Sequence, residues 1–585
     1  MIEPMTVAAL HRAYSNGAIS VGELLHDCLA RARNDSHQAW ISLLSDEQLE
    51  TYIINLADHS PADLPLYGIP FAIKDNIDLA DLPTTAGCPD YSYQPSEHAF
   101  VVAKLIAAGA VPIGKTNLDQ FATGLVGTRS PYGECHNSIN GDYISGGSSA
   151  GSAVSVADGQ VVFSLGTDTA GSGRVPAAFN NILGLKGSIG RISCRGVVPA
   201  CKSLDCVTIF AKTSDDLAAI WPVAAQFDEQ DEFARLQPEL IKAVAPNFKF
   251  GVASAEQLEF FADDAAKSCY HQAITTLTEM GGQAVIIDLA PFSQAAKLLY
   301  EGPWVAERLA ALREFFSAHQ EQTLPVIQTI IGGAANYSAA DAYAALYQLK
   351  ALKRQADQQL AQVDFIVTPT TGTIYTIDEV KADPITLNSN LGFYTNFMNL
   401  LDYSAIALPA GFRQNGTKQG LPFGITLFGP AFYEDALLSI ASRWQKQLPL
   451  PLGALQAQPQ TIDLCVCGAH LSGMALNHQL SNKGAKLIKQ THTAPSYRLF
   501  ALNEGFPRRP AMVRDTKQGT SIEVEIWRLG SEFLAEFLMG IGAPLGLGKV
   551  ELEDGQWVSG FISEPCATDN AEEITHLKSW RNFKA

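Results

Sequence analysis

At roughly 150 residues per domain, a chain of 585 residues predicts two to four compact units, each large enough to bury a core. A content of 47% hydrophobic and 17% charged residues, with 47 Gly and 30 Pro, excludes a largely disordered or collagen-like protein. The formal net charge of −19 and the lack of a local basic patch exclude nucleic acid as a partner. The opening MIEPMTVAALHRAYSNG has no basic start followed by an apolar core, and no run of about 18 uncharged apolar residues occurs anywhere. These features predict a soluble cytoplasmic protein that does not engage a membrane. The 10 Cys are too sparse for a disulfide scaffold, which fits a reducing compartment. Cys465 and Cys467 lack a matching pair at zinc-site spacing and read as buried small hydrophobes, so no metal is expected.

From Thr6 to Asp46 the apolar residues Val7, Leu10, Leu24, Leu25 and Leu29 recur at helical spacing, with Ser20 as an N-cap. Short apolar runs follow at Gly68 to Ile73, Val111 to Gly114 and Val161 to Gly166. Helical stretches at Phe100 to Ala108 and Ser149 to Ala157 separate them. This alternation predicts an α/β layered domain over residues 1–445. Residues 446–461, KQLPLPLGALQAQPQT, have the composition of a linker. Residues 462–585 contain short alternating runs such as SIEVEIWRL (Ser521 to Leu529), separated by turns at Asn482-Lys483-Gly484 and Asp554-Gly555. They predict a small β-rich domain.

Three segments carry chemistry. Gly147-Ser148-Ser149-Ala150-Gly151 matches G-x-S-x-G and taken alone nominates Ser149 as a nucleophile. A loop, HNSINGD, precedes it instead of the buried strand that such an elbow requires, so a glycine-rich helix start is the better reading. The run Val161 to Leu165 leads into GTDTAGSGRVP (Gly166 to Pro176). A turn this rich in small residues can aim several backbone N–H groups at one oxyanion, with Ser172 at its tip. Lys74 ends the run GIPFAIK, and burial there lowers its pKa so that a neutral amine can act as a base. Together these residues suggest Ser-Lys nucleophilic machinery.

GIPFAIKDN, SGGSSAGS and GTDTAGSGRVP occur in the order found in the amidase signature family, with 24 residues from Ser148 to Ser172. The chain resembles that family over roughly residues 1–445. The resemblance implies a mixed twisted sheet covered by helices, Ser172 as nucleophile, Ser148 as bridging serine on a cis peptide, and Lys74 as base. N–H groups from Thr169, Ala170, Gly171 and Ser172 would form the oxyanion hole. Where this sequence has Ala170 the family usually carries a second glycine.

LYEGPWVAER (Leu299 to Arg308) and DQFATGLVGTRS (Asp119 to Ser130) resemble the allophanate hydrolase branch. The resemblance implies that Tyr300 and Arg308, about two helical turns apart, hold a substrate carboxylate. Cys467 to Asn477 (CGAHLSGMALN) and Gln490 to Phe500 (QTHTAPSYRLF) resemble that branch's C-terminal domain, a γ-glutamyl cyclotransferase-like fold. The family's tail is implicated in decarboxylating N-carboxycarbamate, with His492 as the residue for that chemistry or else a structural histidine. The expectation is therefore a homodimeric, cofactor-free amidohydrolase acting on allophanate in urea breakdown, with a urea-carboxylating enzyme as pathway partner. The alternatives are another amidase or an amidotransferase subunit, with the tail a structural or recruiting module.

Overall fold

The structure is a computed structural model that describes all residues except 1–4, 238–242, 449–451, 455–460, 484, 504–506, 531, 532, 534–536, 570 and 585. The chain divides into two compact units, Met1–Ala454 and Leu455–Ala585. Most of the segment expected to act as a linker lies outside the described residues.

Among the described residues the first unit is built on a mixed sheet of 11 strands. In chain order these are β1 (Trp40–Leu43), β2 (Ile69–Lys74), β3 (Ala110–Thr116), β4 (Phe163–Asp168), β5 (Leu183–Lys186), β6 (Cys206–Ala211), β7 (Phe248–Ala253), β8 (Gly282–Ile287), β9 (Phe365–Pro369), β10 (Ser404–Phe412) and β11 (Pro422–Gly429). Their spatial order is β1-β3-β2-β4-β6-β5-β10-β11-β9-β7-β8. Strands β3, β2 and β4 run parallel, so β2 and β4 deliver their C-terminal ends to one edge of the sheet. Every residue of β2, β3 and β4 is buried, which their uninterrupted apolar runs anticipate for strands covered on both faces.

Helices Val7–Ser15 and Val21–Arg33 form as their periodicity predicts, and Ser20 makes a full capping box with Glu23. The helical reading of Thr6 to Asp46 is corrected at its end. Trp40–Leu43 is the edge strand β1, antiparallel to β3, and its half-buried side chains carry too weak an alternation to announce it. Helix Ala150–Ala157 is buried throughout and rides close to the chain. A Cβ on Gly151 would lie 1.9 Å from the Ala39 carbonyl oxygen, so only glycine fits.

The second unit is β-rich. Strands β12 (Thr461–Val466), β13 (Lys486–His492), β16 (Glu523–Gly530), β17 (Leu545–Glu551) and β18 (Trp557–Ser563) form a sheet in the order β13-β16-β12-β18-β17. Strands β14 (Tyr497–Ala501), β15 (Pro510–Arg514) and β19 (Glu572–Glu573) form a smaller one. Cys465 and Cys467 are buried, unpaired thiols in the core of this unit.

Candidate active site

Lys74 is the last residue of β2 and fully buried. Its Nζ donates to Ser148 Oγ at 2.8 Å and to Thr167 Oγ1 at 2.6 Å. Ser148 Oγ in turn donates to Ser172 Oγ at 2.9 Å, so the three residues form one continuous chain of hydrogen bonds. Burial pulls the Lys74 pKa down to about 7, against the raising influence of Asp119, Asp205 and Asp168, while Arg308 adds to the lowering.

The local sequence explains why these groups converge. The Gly147–Ser148 peptide is cis. Asp119 secures this segment, its carboxylate accepting the N–H groups of Val126, Gly127 and Arg129 while its own N–H donates to the Ser148 carbonyl. A Cβ on Gly147 would stand 2.2 Å from Asp119 Oδ2, which accounts for the glycine there. Ser149, the alternative nucleophile, is tied to β4. Its Oγ donates to the Thr167 carbonyl at 3.0 Å and accepts the Thr167 N–H at 3.2 Å.

Asp168, where β4 ends, organises the Ser172 loop. It accepts N–H groups from Gly171 at 2.8 Å and Gly173 at 3.0 Å, and a two-pronged contact from Arg174 at 2.9 Å and 2.9 Å. Burial favours its neutral form, yet the Arg174 guanidinium outweighs this and holds the carboxyl below its usual range. The Gly171 N–H, expected to face an oxyanion, is thus committed to Asp168. The N–H groups of Thr169, Ala170 and Ser172 meet no acceptor among the described residues. Gly171 has φ +136°, and a Cβ there would lie 2.4 Å from Thr395 Oγ1. The Thr169 hydroxyl donates to Asp205, whose pKa burial raises to about 6. Thr167, Asp168 and Asp205 are supporting residues that sequence reasoning did not single out. Their side chains matter through contacts with residues distant in the chain, although Thr167 and Asp168 stand beside the motif that signalled Ser172.

Tyr300 and Arg308 do not share one helix as their spacing suggested. Helix Ala290–Glu301 stops, Gly302 and Pro303 intervene, and a new helix runs over Trp304–His319. Proline has no N–H to continue the first helix, and Gly302 takes an extended conformation. The two side chains nevertheless meet, with the Arg308 guanidinium 5.7 Å from the Tyr300 ring centre. Arg308 is buried and donates to Thr123 Oγ1 at 3.0 Å, with no carboxylate pairing to it among the described residues. A cavity of about 250 Å³ opens beside Tyr300, with Arg129, Asn336 and Asn388 in its wall.

His492, expected to do chemistry in the tail, is the last residue of β13. Its half-exposed ring has Nδ1 3.9 Å from Glu553 Oε2.

The family model described as Amidase matches residues 23–438, and that of the allophanate hydrolase C-terminal domain matches residues 462–585. The chain belongs to the amidase family and is thereby a hydrolase acting on amides. It is similar along nearly its whole length to the allophanate hydrolase of Kluyveromyces lactis, with 38% identity and a TM-score of 0.72 over 99% of this chain and 98% of that one. A urea amidolyase of Lachancea kluyveri is 42% identical over 90% of this chain, and that of Saccharomyces cerevisiae 41% over 94%. The chain spans only 30% and 31% of the length of those two relatives.

Proposed function

We propose that this protein hydrolyses allophanate, with Ser172 as nucleophile, Ser148 as proton relay and Lys74 as base. The observation that carries this reading is the unbroken Lys74–Ser148–Ser172 chain, with contacts of 2.8 Å and 2.9 Å, ending on an amine whose pKa is brought down to about 7. When the amine is neutral both hydroxyl rotors reverse. Ser172 then donates to Ser148, and Ser148 donates to Lys74 Nζ. Ser172 Oγ attacks the amide carbonyl as its proton moves along this path. The N–H groups of Thr169, Ala170 and Ser172 hold the developing oxyanion, each typically worth about 3 kcal/mol. Gly171 keeps the loop in shape through Asp168. Lys74, now protonated, returns a proton to the departing nitrogen, and water releases the acyl group. The balance is allophanate plus water giving N-carboxycarbamate and ammonium.

Arg308, a buried cation with no carboxylate pairing to it among the described residues, supports a negatively charged substrate, and Tyr300 lies beside it. In this reading the second unit completes the breakdown by decarboxylating N-carboxycarbamate. The enzyme works in the cytoplasm as a homodimer, downstream of a urea-carboxylating enzyme, and its 10 unpaired thiols fit a reducing compartment. The test is ammonia release from allophanate, and separately from uncharged amides such as propionamide, by the purified chain. Turnover of uncharged amides alone would reduce the reading to a general amidase.

A further inference from the structure

Thr123 joins two guanidinium groups. Its hydroxyl accepts from Arg308 Nη1 at 3.0 Å and donates to the Phe121 carbonyl at 3.2 Å, while its carbonyl accepts from Arg129 Nη1 at 2.9 Å. With its only proton committed to Phe121, the hydroxyl faces Arg308 as an acceptor. Arg129 is 4% exposed. Its Nη2 donates to the Pro384 carbonyl, its Nε is buried without a hydrogen-bond partner, and no carboxylate pairs with its side chain among the described residues. One buried cation without a counter-charge is costly, and here two of them meet on a single threonine.

The backbone that presents Thr123 is held in a costly shape. Phe121 and Ala122 have φ of +52° and +53°, in the left-handed region that side chains rarely adopt. The Phe121 ring meets Tyr91 edge-on with centroids 5.3 Å apart and lies 5.7 Å from that of Phe315. Phe315 belongs to helix Trp304–His319, so the helix that delivers Arg308 also packs against the turn that receives it. On the other side, the Arg129 contact with Pro384 and a 2.8 Å bond from the Leu125 N–H to Asn388 Oδ1 fasten the segment that borders the cavity beside Tyr300. A Cβ on Gly124 would stand 2.6 Å from Asp119 Oδ2 and 3.1 Å from Arg129 Cδ, so the arginine stem packs near the carboxylate that secures Gly147. Burial pulls the Arg129 pKa below its ordinary value; Asp119 and Tyr300 oppose this and the Arg308 charge adds to it.

We propose that Arg129 is a positioning residue that makes the site select small amides bearing a carboxylate. By holding the Thr123 and Pro384 carbonyls it fixes the hydroxyl that aims Arg308, and its own unneutralised charge adds to the attraction for an anion. This rests on the reading of Arg308 as the group that takes the substrate carboxylate. Arg129 acts through Thr123 and through its field, without touching the substrate. Its contribution is therefore to binding that ground state and transition state share, and its loss appears in KM more than in kcat. An uncharged amide draws on neither effect.

In the full chain, Arg129→Gln should lower kcat/KM on allophanate at least tenfold more than on propionamide, with the allophanate loss falling mainly on KM. Equal losses on the two substrates, or a loss confined to kcat, overturn the assignment. Thr123→Val gives a second reading that leaves both arginines in place: it deletes only the hydroxyl and should raise KM for allophanate by a similar factor, whereas a parental KM overturns the route through Thr123. Arg129→Gln added to Arg308→Gln should cost little beyond Arg308→Gln alone, as expected of two residues acting in series, and additive losses refute it. Malonamate, in which a methylene replaces the central N–H of allophanate, separates this inference from the proposed function. Titrated calorimetrically, it should bind the Ser172→Ala chain at least tenfold more tightly than the chain that also carries Arg129→Gln; equal affinity, or binding to neither, overturns the proposal. A parent that discriminates in this titration yet releases no ammonia from allophanate would end the proposed function and leave the role of Arg129 standing.

Discussion

The buried amine of Lys74 gives the sharpest test, because its depressed pKa has consequences for both rate and stability. With a pKa of about 7, the neutral fraction rises from roughly one in eleven at pH 6 to ten in eleven at pH 8, so kcat/KM for ammonia release should climb about tenfold over that interval. Below pH 7 the folded protein carries the full cost of a charge held away from water. A shift from 10.5 to about 7 sets this cost at about 5 kcal/mol. Between about pH 7 and 10.5 the unfolded chain holds a proton here that the folded chain has released, so this group's destabilisation fades as pH rises, by about 1.4 kcal/mol per pH unit. Lys74→Met removes the titration. Its stability relative to the parent, measured by urea unfolding from pH 7.5 to 9.5, should therefore fall by about 3 kcal/mol in all. A flat rate profile from pH 6 to 8, together with a constant stability difference, would show that the amine stays protonated and that the base is elsewhere.

Ser172→Ala should abolish ammonia release while leaving thermal unfolding unchanged, and Ser148→Ala should be nearly as inactive; a dead Ser149→Ala beside an active Ser172→Ala would reverse the assignment. Arg308→Lys should lower kcat/KM on allophanate at least tenfold and on propionamide far less, since an ammonium cannot make two parallel bonds to a carboxylate; equal losses would make Arg308 structural. Asp168→Asn leaves the Arg174 guanidinium buried without its charge partner and should destabilise the chain by about 3–5 kcal/mol in denaturant unfolding, with activity lost through the loosened Ser172 loop. Asp205→Asn removes a charge that raises the Lys74 pKa, so the inflection of the rate profile should move to lower pH.

Much of the fold at the site could be read in advance because its strands are locally unambiguous. GIPFAIK and VVFSLG are continuous apolar runs, and their burial as β2 and β4 on parallel neighbours follows from that. Lys74, Ser148 and Ser172 were legible for the same reason: each stands at the end of a run or inside a glycine-rich turn whose spacing is visible in one dimension. Strand β1 was not legible, because its partner β3 lies far along the chain and nothing in Trp40–Leu43 outweighs the helical pattern before it. The break between Tyr300 and Arg308 was written in the Gly302-Pro303 pair and outweighed by an argument from spacing. Asp168 as the clamp of the Ser172 loop, and Asp119 as the support of Gly147, depend on contacts that only the folded chain creates.

The helix break at Gly302-Pro303 separates two kinds of inheritance. The proposed reacting groups, Lys74, Ser148 and Ser172, come from the parallel strands and the loops at one edge of the sheet, whereas Tyr300 and Arg308 arrive on helices more than a hundred residues later. A lineage could exchange that helical pair, or shift the break by a residue, without disturbing the sheet edge on which bond cleavage depends. New substrates would then be acquired by rewriting a helical segment, while the strands that hold the reaction stay fixed.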